Sequence, residues 1–492
     1  MMDLIKQQLD NEKTRTENGA LAYRTSGHEL LDLNFSVSSL RNRPEPYICN
    51  AFRKAYYENP DLAVRWLFFL RDARGGMGER RSFRIMMGEL LKLSGNNLQK
   101  ALNLIPLIPE YGRWDDVIDL SLYSKAQLSC LALIEKQFEE DVQNLKEGRP
   151  ISLLAKWLPS EHPKTSEDKF FLNQFLRYAK ISRQTYRKAL GKMREYLRVV
   201  ELQMTLGEWD KIDYSAVPSG ANLLYRNAFL RHDKDRREAY LESLKRGEAK
   251  INAKVLFPCD IVGQYIGDYD ESLEQLWKNL TNTKTNGDVM VVADSSASMG
   301  CRLGATRLTA RNVAYSLAIY FAERCSGPYK DHIITFSERP KYIDFHQATS
   351  LYDKLSIVRA YSEVANTNIK RTFDLILDTA VANNLDQSEI PSTVLILSDM
   401  EFDYCGEDVV FDRIKKDWDK TGYKMPKLVF WNICGRTDGI PMKENENGVV
   451  LLSGFSPTVY KMVMNNETDP YAALIRVVMD SRYDPVTEAW NK

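Results

Sequence analysis

The sequence predicts a multidomain chain, an α-helical, repeat-like stack followed by an α/β, Rossmann-like domain with a mostly parallel sheet. Three observations predict it. Up to about residue 280 the apolar residues recur at three- and four-residue steps, the helical period. After the polar stretch TNTKTNG (residues 281–287), short β-branched apolar runs alternate with helical segments. The formal charge, zero over 492 residues, divides near the same place: residues 287–492 hold 23 basic and 28 acidic side chains, and the preceding 286 hold 44 and 39. The expected organisation is therefore residues 1–280 helical, 281–287 a linker and 288–492 α/β.

In the helical part, PYICNAFRKAYYENP places Tyr47, Ile48, Ala51, Phe52, Ala55 and Tyr56 on one face. The next helix starts at Asn59-Pro60, a capping residue followed by proline at the first helical position. It turns Leu62, Trp66, Phe69, Leu70 and Ala73 inward and stops at Gly75-Gly76. SKAQLSCLALIEKQFEEDVQNL and RREAYLESLKRG continue the pattern. Helices joined by short connections, on the order of a dozen of them, make a stack.

In the second part, DVMVVAD, DHIITF, STVLILSD and KLVFWNIC read as strands buried on both faces, as in a parallel sheet covered by helices. ARNVAYSLAIYFAERC and FDLILDTAVANNL are two of the covering helices. Ligands of such sheets bind at the carboxyl ends of the strands. Asp294 ends the first of these runs and Asp399 ends STVLILSD.

Composition sets bounds. Hydrophobic residues at 44% and charged residues at 27% are those of a globular protein. No window approaches the roughly 18 uninterrupted apolar residues of a membrane span. The polar N-terminus is no secretion signal, so an intracellular, cytoplasmic location is expected. Seven scattered cysteines without a C-x-x-C pair read as reduced thiols. The five histidines are equally dispersed, which argues against a zinc site of Cys and His. Asn466-Glu467-Thr468 matches a glycosylation triplet, with nothing else to suggest secretion.

The stretch VVADSSASMG sets Asp294, Ser296 and Ser298 at every second position. One reading makes Ser296 or Ser298 the cap of a helix starting near residue 306, with Asp294 favouring its positive end. A phosphate loop would need G-x-x-x-x-G-K-[ST], which is absent. The other reading is a hard divalent cation, Mg²⁺ or Mn²⁺, held by loop oxygens and water. Thr367, in EVANTNIKRTFDLILD, and Asp399 would add donors from other strand ends. Glu401 and Asp403 in SDMEFD read as members of a solvated loop. This order and placement resemble the metal-ion-dependent adhesion site of von Willebrand factor A domains. The resemblance implies direct metal contacts from Ser296, Ser298 and Thr367, contacts through water from Asp294 and Asp399, and a position left for an acidic group of a partner. Thr367 departs from the pattern, lying between Asn366 and Asn368 where related domains more often show a preceding glycine.

Two basic segments stand out in the helical part. RDARGGMGERRSFR (71–84) reads either as a glycine turn with solvated Arg71, Arg74, Arg80 and Arg81 or as arginines and amides gathered round a phosphate. RYAKISRQTYRKALGKMREYLR (177–198) carries eight basic residues against the single acid Glu195, with Tyr178, Tyr186 and Tyr196 interleaved. Such a strip is either a solvated face or a single-stranded nucleic-acid contact through Arg183, Arg187, Lys188, Lys192 and Arg194.

TENGALAYRTSGHELLDLNF, FLRDARGGMGERRSFR, YGRWDDV, AKWLPS, WDKIDYSAVPS, HIITFSERP, LILSDMEFD and LLSGFSP together resemble an uncharacterised domain-of-unknown-function family. That family pairs a helical N-terminal region with a von Willebrand A-type domain. The architecture is similar to that of the Ro autoantigen (TROVE) group, whose helical repeats bind RNA. The resemblances imply a non-enzymatic, metal-dependent binding protein, with RNA on the helical domain, an acidic partner group at the metal and no small-molecule cofactor. A protein-interaction adaptor without nucleic acid is the alternative. Metal-assisted phosphodiester hydrolysis is a third reading, with no histidine or lysine tied by position to the oxygen cluster.

Overall fold

The computed structural model describes residues 12–283, 288–336, 340–361, 368–404, 409–441, 448–464 and 469–492, apart from the side chains of Asn96 and Met464. Thr367, Cys405 and the 466–468 triplet lie outside these residues, as do residues 284–287 of the expected linker. Among the described residues no helix is long and apolar enough to cross a membrane.

Contacts divide the chain into two compact units, residues 1–63 with 253–480 and residues 64–252 with 481–492. This division differs from a boundary near residue 280. Helical periodicity marks a helix without telling what it packs on, and the N-terminal helices belong with the sheet.

The sheet unit is built on six strands: β3 (Val289–Asp294), β4 (His332–Phe336), β5 (Lys341–Asp344), β6 (Thr393–Ser398), β7 (Lys427–Asn432) and β8 (Val449–Ser453). Their order is β5-β4-β3-β6-β7-β8, all neighbours parallel except the antiparallel β4–β5 pair. β6 and β8 are buried along their whole length, as continuous apolar runs require. The four expected strands are present, with β5 and β8 in addition. The covering helix Ala310–Arg324 buries Val313, Leu317, Tyr320 and Phe321.

The other layer includes the helix Glu29–Leu40. The Ser38 amide donates to Ser453 Oγ at 2.9 Å, and Asn432 Nδ2 donates to the Phe35 carbonyl at 3.0 Å. A two-stranded hairpin, β1 (Lys13–Arg15) and β2 (Leu21–Tyr23), precedes it. Tyr23 exchanges backbone hydrogen bonds with Ile440 at 2.9 and 2.8 Å, so the hairpin is fixed to the loop beyond β7. The chain leaves β3 toward β4 on one side and returns to β6 on the other. The carboxyl ends of β3 and β6 thus flank the point where strand order reverses, the usual crevice of such sheets.

Asn59 caps the helix Pro60–Arg71, its Oδ1 accepting the Leu62 amide at 3.1 Å, and that helix runs on into the helical unit. Trp66, Phe69 and Leu70 are fully buried, and so are Arg65, Arg71 and Asp72. The solvated reading of Arg71 is therefore corrected. Its guanidinium lies against Asp116 Oδ2, 2.8 Å from Nε and 2.6 Å from Nη2. Arg84 Nε holds the other oxygen at 2.7 Å. The last residues return here: Arg482 pairs with buried Asp72, and Tyr483 packs edge-on to Phe69. Phe138, Phe175 and Tyr186 form an aromatic core for the following helices.

The glycine turn closes the helix Pro60–Arg71. The amides of Gly76, Met77, Gly78 and Glu79 donate to the carbonyls of Asp72, Phe69, Asp72 and Leu70 at 2.9–3.2 Å. A Cβ on Gly76 would stand 2.1 Å from the Phe69 carbonyl oxygen, and Gly78 has φ +71°, so both positions need glycine. With its amides engaged in this way, the turn has no free backbone cradle for a phosphate. Arg74, Arg80 and Arg81 are exposed on its surface. Arg74 donates to the Glu110 carbonyl at 2.5 Å, and Arg80 stands 3.9 Å from Asp115.

Breaking a buried ion pair by removing one partner leaves an uncompensated charge, at about 3–5 kcal/mol. Asp116→Asn, which strands Arg71, should lower the unfolding free energy of the helical unit in urea by that amount, seen as a lower midpoint with an unchanged m-value. A loss below about 1 kcal/mol would mean that the pair is not what holds these helices.

Candidate functional site

The site grows from β3. Its last residue, Asp294, is fully buried, as is Asp399 just beyond β6. β3 and β6 are adjacent and parallel, so the topology delivers both carboxylates to the same sheet end. Asp294 Oδ1 accepts the Ser296 amide at 2.8 Å, which turns the chain sharply, and Oδ2 accepts Ser398 Oγ at 2.7 Å. The turn brings Ser296 Oγ within 2.9 Å of Ser298 Oγ, while Met299 is buried beneath.

The capping reading of these serines is corrected. Thr309 caps the helix Ala310–Arg324, in a capping box with Asn312. Arg311, in the first turn, donates to the Ser296 carbonyl at 3.0 Å. The hydroxyls of Ser296 and Ser298 therefore have no part in ending that helix.

Met400, after Asp399, takes φ +62°, a conformation disfavoured for a side chain of its size. It folds the chain back so that the Glu401 amide donates to Asp399 Oδ1 at 3.2 Å. Asp399 Oδ2, by contrast, is buried without a hydrogen bond. Arg436 Nη2 stands 3.5 Å from it, an ion-pair distance, and Nη1 of the same guanidinium binds Glu17 at 2.7 Å. Burial and the Asp294 charge push the Asp399 carboxyl up to about 7, against the Ser298 hydroxyl and the Glu401 amide. Burial likewise raises Asp294, opposed by Ser296, Ser398 and Arg311. Both carboxylates are thus held where ionisation is unfavourable.

Oxygen donors from two strand ends and an orphaned buried carboxylate oxygen fit a hard cation. A cation there would also relieve the repulsion between the two aspartates. Of the five expected ligands, the structure brings Asp294, Ser296, Ser298 and Asp399 together; Thr367 lies outside the described residues.

Glu401 overturns the expectation of a solvated loop. It is buried and accepts the amides of Glu17, Arg436 and Thr437, each at 2.7 Å. The hairpin, the β6 loop and the β7 loop are joined by this one carboxylate. The Cys301 and Cys434 thiols also meet beside the site. Their hydrogen bond, which outweighs burial, and the Arg436 charge bring Cys301 down to about 7. With 132 residues between them in sequence, they give no local motif.

The basic strip lies on the helix Arg183–Tyr196, capped by Ser182. Arg183, Arg187, Lys188 and Lys192 are exposed. Arg183 reaches the Glu161 carbonyl at 2.9 Å and Asn173 at 2.5 Å, and Arg187 stands 3.4 Å from the Glu161 carboxylate. Arg194 differs: it donates to the carbonyls of Ala155 and Leu158 at 2.9 and 2.7 Å and to Ser160 Oγ at 3.1 Å. It holds the AKWLPS turn and leaves little of its fork for phosphate. Tyr186 is fully buried, its hydroxyl on the Pro159 carbonyl at 2.6 Å, so it is a core residue and no base-stacking platform.

Residues 288–482 match a domain of unknown function (DUF7788), and residues 162–295 match another (DUF2828). The crystal structure of the Deinococcus radiodurans RO (RSR) protein is similar at 15% identity and a TM-score of 0.47, over 87% of this chain and 92% of that one. A likeness of that degree transfers no property. The uncharacterised protein L728 of Acanthamoeba polyphaga mimivirus is 30% identical over 516 aligned positions, spanning 96% of this chain and 88% of the relative. By that identity and extent, the chain belongs to the same family as the mimivirus protein.

Proposed function

We propose that this protein is a non-enzymatic, divalent-cation-dependent binding protein. Its sheet unit is a von Willebrand A-type domain, with Mg²⁺ or Mn²⁺ held by Ser296, Ser298 and Thr367 directly and by Asp294 and Asp399 through water. The observation that carries this reading is the pair of buried aspartates at adjacent strand ends, one with an orphaned oxygen. When bound, the cation supplies a hard positive centre for an acidic oxygen of a partner. The chain's own part is to present hydroxyls at fixed spacing and to hold the β6 loop through Glu401.

A cation that binds only the folded state raises stability by mass action, about 2.7 kcal/mol at a hundredfold excess over Kd. For a unit of this size that is a rise in Tm of about 4–5 °C. Asp294→Ala combined with Ser296→Ala should abolish the Mg²⁺- or Mn²⁺-dependent rise and leave the far-ultraviolet circular dichroism unchanged. A wild-type melt indifferent to millimolar divalent ion would sink the reading.

The helical unit binds a polyanion, RNA, in the same proposal, and the exposed Arg183, Arg187, Lys188 and Lys192 support it. Each lost phosphate contact lowers the slope of log affinity against log salt by roughly 0.7 for a single strand. Replacing all four by Gln should flatten the slope accordingly, whereas Arg194→Gln should chiefly lower stability. Filter binding across a salt series reads this directly. No RNA binding at low salt, or a slope unmoved in the quadruple variant, would favour a protein-interaction adaptor instead.

A further inference from the structure

His332 opens β4, and Asp344 closes β5 directly opposite it in the antiparallel pair. His346 follows two residues later, its amide donating to Asp344 Oδ1 at 2.8 Å, which turns its ring back over the hairpin. His346 Nδ1 lies 2.8 Å from Asp344 Oδ1, and His332 Nδ1 lies 3.6 Å from the same oxygen. The two imidazole centroids are 4.7 Å apart. One ligand atom from each of the three residues falls within 4.8 Å of the others.

His346 and Asp344 are at hydrogen-bond distance, and the three ligand atoms together are also near enough to surround an ion. Tetrahedral ligation with bonds of 2.0–2.1 Å sets neighbouring ligand atoms about 3.4 Å apart. The 2.8 and 3.6 Å separations bracket that value, and the third, between the two imidazoles, is within 4.8 Å, so side-chain rotations would complete the set. The strand register sets His332 beside Asp344, and the turn after β5 adds His346 to the same oxygen. Tyr342 Oη lies 2.8 Å from Nδ1 and 3.1 Å from Nε2 of His332, so an ion on Nδ1 would leave the phenol only Nε2 as its partner. Asp344 and His346 are exposed, and β5 is the sheet edge, so the cluster opens to solvent.

We propose that His332, Asp344 and His346 form a second metal site, for a borderline transition ion of the Zn²⁺ class. Imidazole ligands select Zn²⁺ and Co²⁺ over Mg²⁺, so this site and the oxygen cluster at β3 take different ions. The dispersion of five histidines hid it, because the β4–β5 hairpin, not the sequence, brings two of them together.

The test is titration of chelator-treated full-length protein with Co²⁺, followed by its visible absorption and displaced by Zn²⁺. One Co²⁺ per chain with nitrogen ligation is expected, displaced by Zn²⁺ and indifferent to Mg²⁺. Loss of an outer-shell partner already weakens metal sites about 10–100-fold, so His346→Ala and His332→Ala should each weaken binding by about a hundredfold or more. His346 is exposed, so its variant should keep the wild-type melt in chelator. The Asp294→Ala/Ser296→Ala variant should bind Co²⁺ as wild type does, which separates this site from the proposed Mg²⁺ site. The proposal is overturned if wild type gives no Co²⁺ spectrum, if His346→Ala leaves it unchanged, or if the signal follows Asp294 instead.

Discussion

Two carboxylates, Asp294 and Asp399, are buried side by side at the carboxyl ends of β3 and β6, and much of the surrounding structure serves that placement. Like charges in a low-dielectric pocket repel, and each is desolvated as well. The chain answers with donors: the Ser296 amide and Ser398 hydroxyl on Asp294, the Glu401 amide on Asp399. Arg311 and Arg436 approach from neighbouring elements without closing on both groups. Asp399 Oδ2 is left with the Arg436 guanidinium at 3.5 Å and no hydrogen bond. That shortfall makes the site a candidate for a cation, where a fully satisfied ion pair would have been a piece of core.

The same constraint explains the loops around it. Met400 is held in a disfavoured conformation because Ser398 Oγ accepts its amide while donating to Asp294, so the turn and the carboxylate are fixed together. Glu401 then ties that turn to the N-terminal hairpin and to the loop beyond β7. A rigid framework of this kind presents ligands at set positions and keeps its own backbone from filling the crevice. In the helical unit, ionic groups are buried for a different end. Arg71 and Arg84 each hold one oxygen of Asp116 and so lock helices against one another.

Features that repeat within a few residues were legible in the sequence. The buried strands, the Asn59 cap and the spacing of Asp294, Ser296 and Ser298 all depend on near neighbours. Features made by distant partners were not. Nothing near Glu401 foretold its contact with Glu17, and a lone Arg71 reads as solvated until Asp116 is placed beside it. Arg194 looked like one more charge of a strip, whereas its partners are the carbonyls of a turn some forty residues earlier. Helical spacing over the first 280 residues could not show that the helix Glu29–Leu40 packs on β7 and β8. For the same reason the compact units differ from the boundary that composition suggests. His332 and His346 were separated by a hairpin whose register was not foreseeable.

The central claim is that the ends of β3 and β6 hold a divalent cation. Crystals grown or soaked with Mn²⁺, measured for anomalous scattering at the manganese edge, test it most directly. The prediction is a peak beside Ser296 Oγ and Ser298 Oγ, with Asp294 and Asp399 reached through water. A well-diffracting crystal with Mn²⁺ present and no anomalous peak between those side chains, or with Arg436 closed onto Asp399 in its place, would contradict the claim.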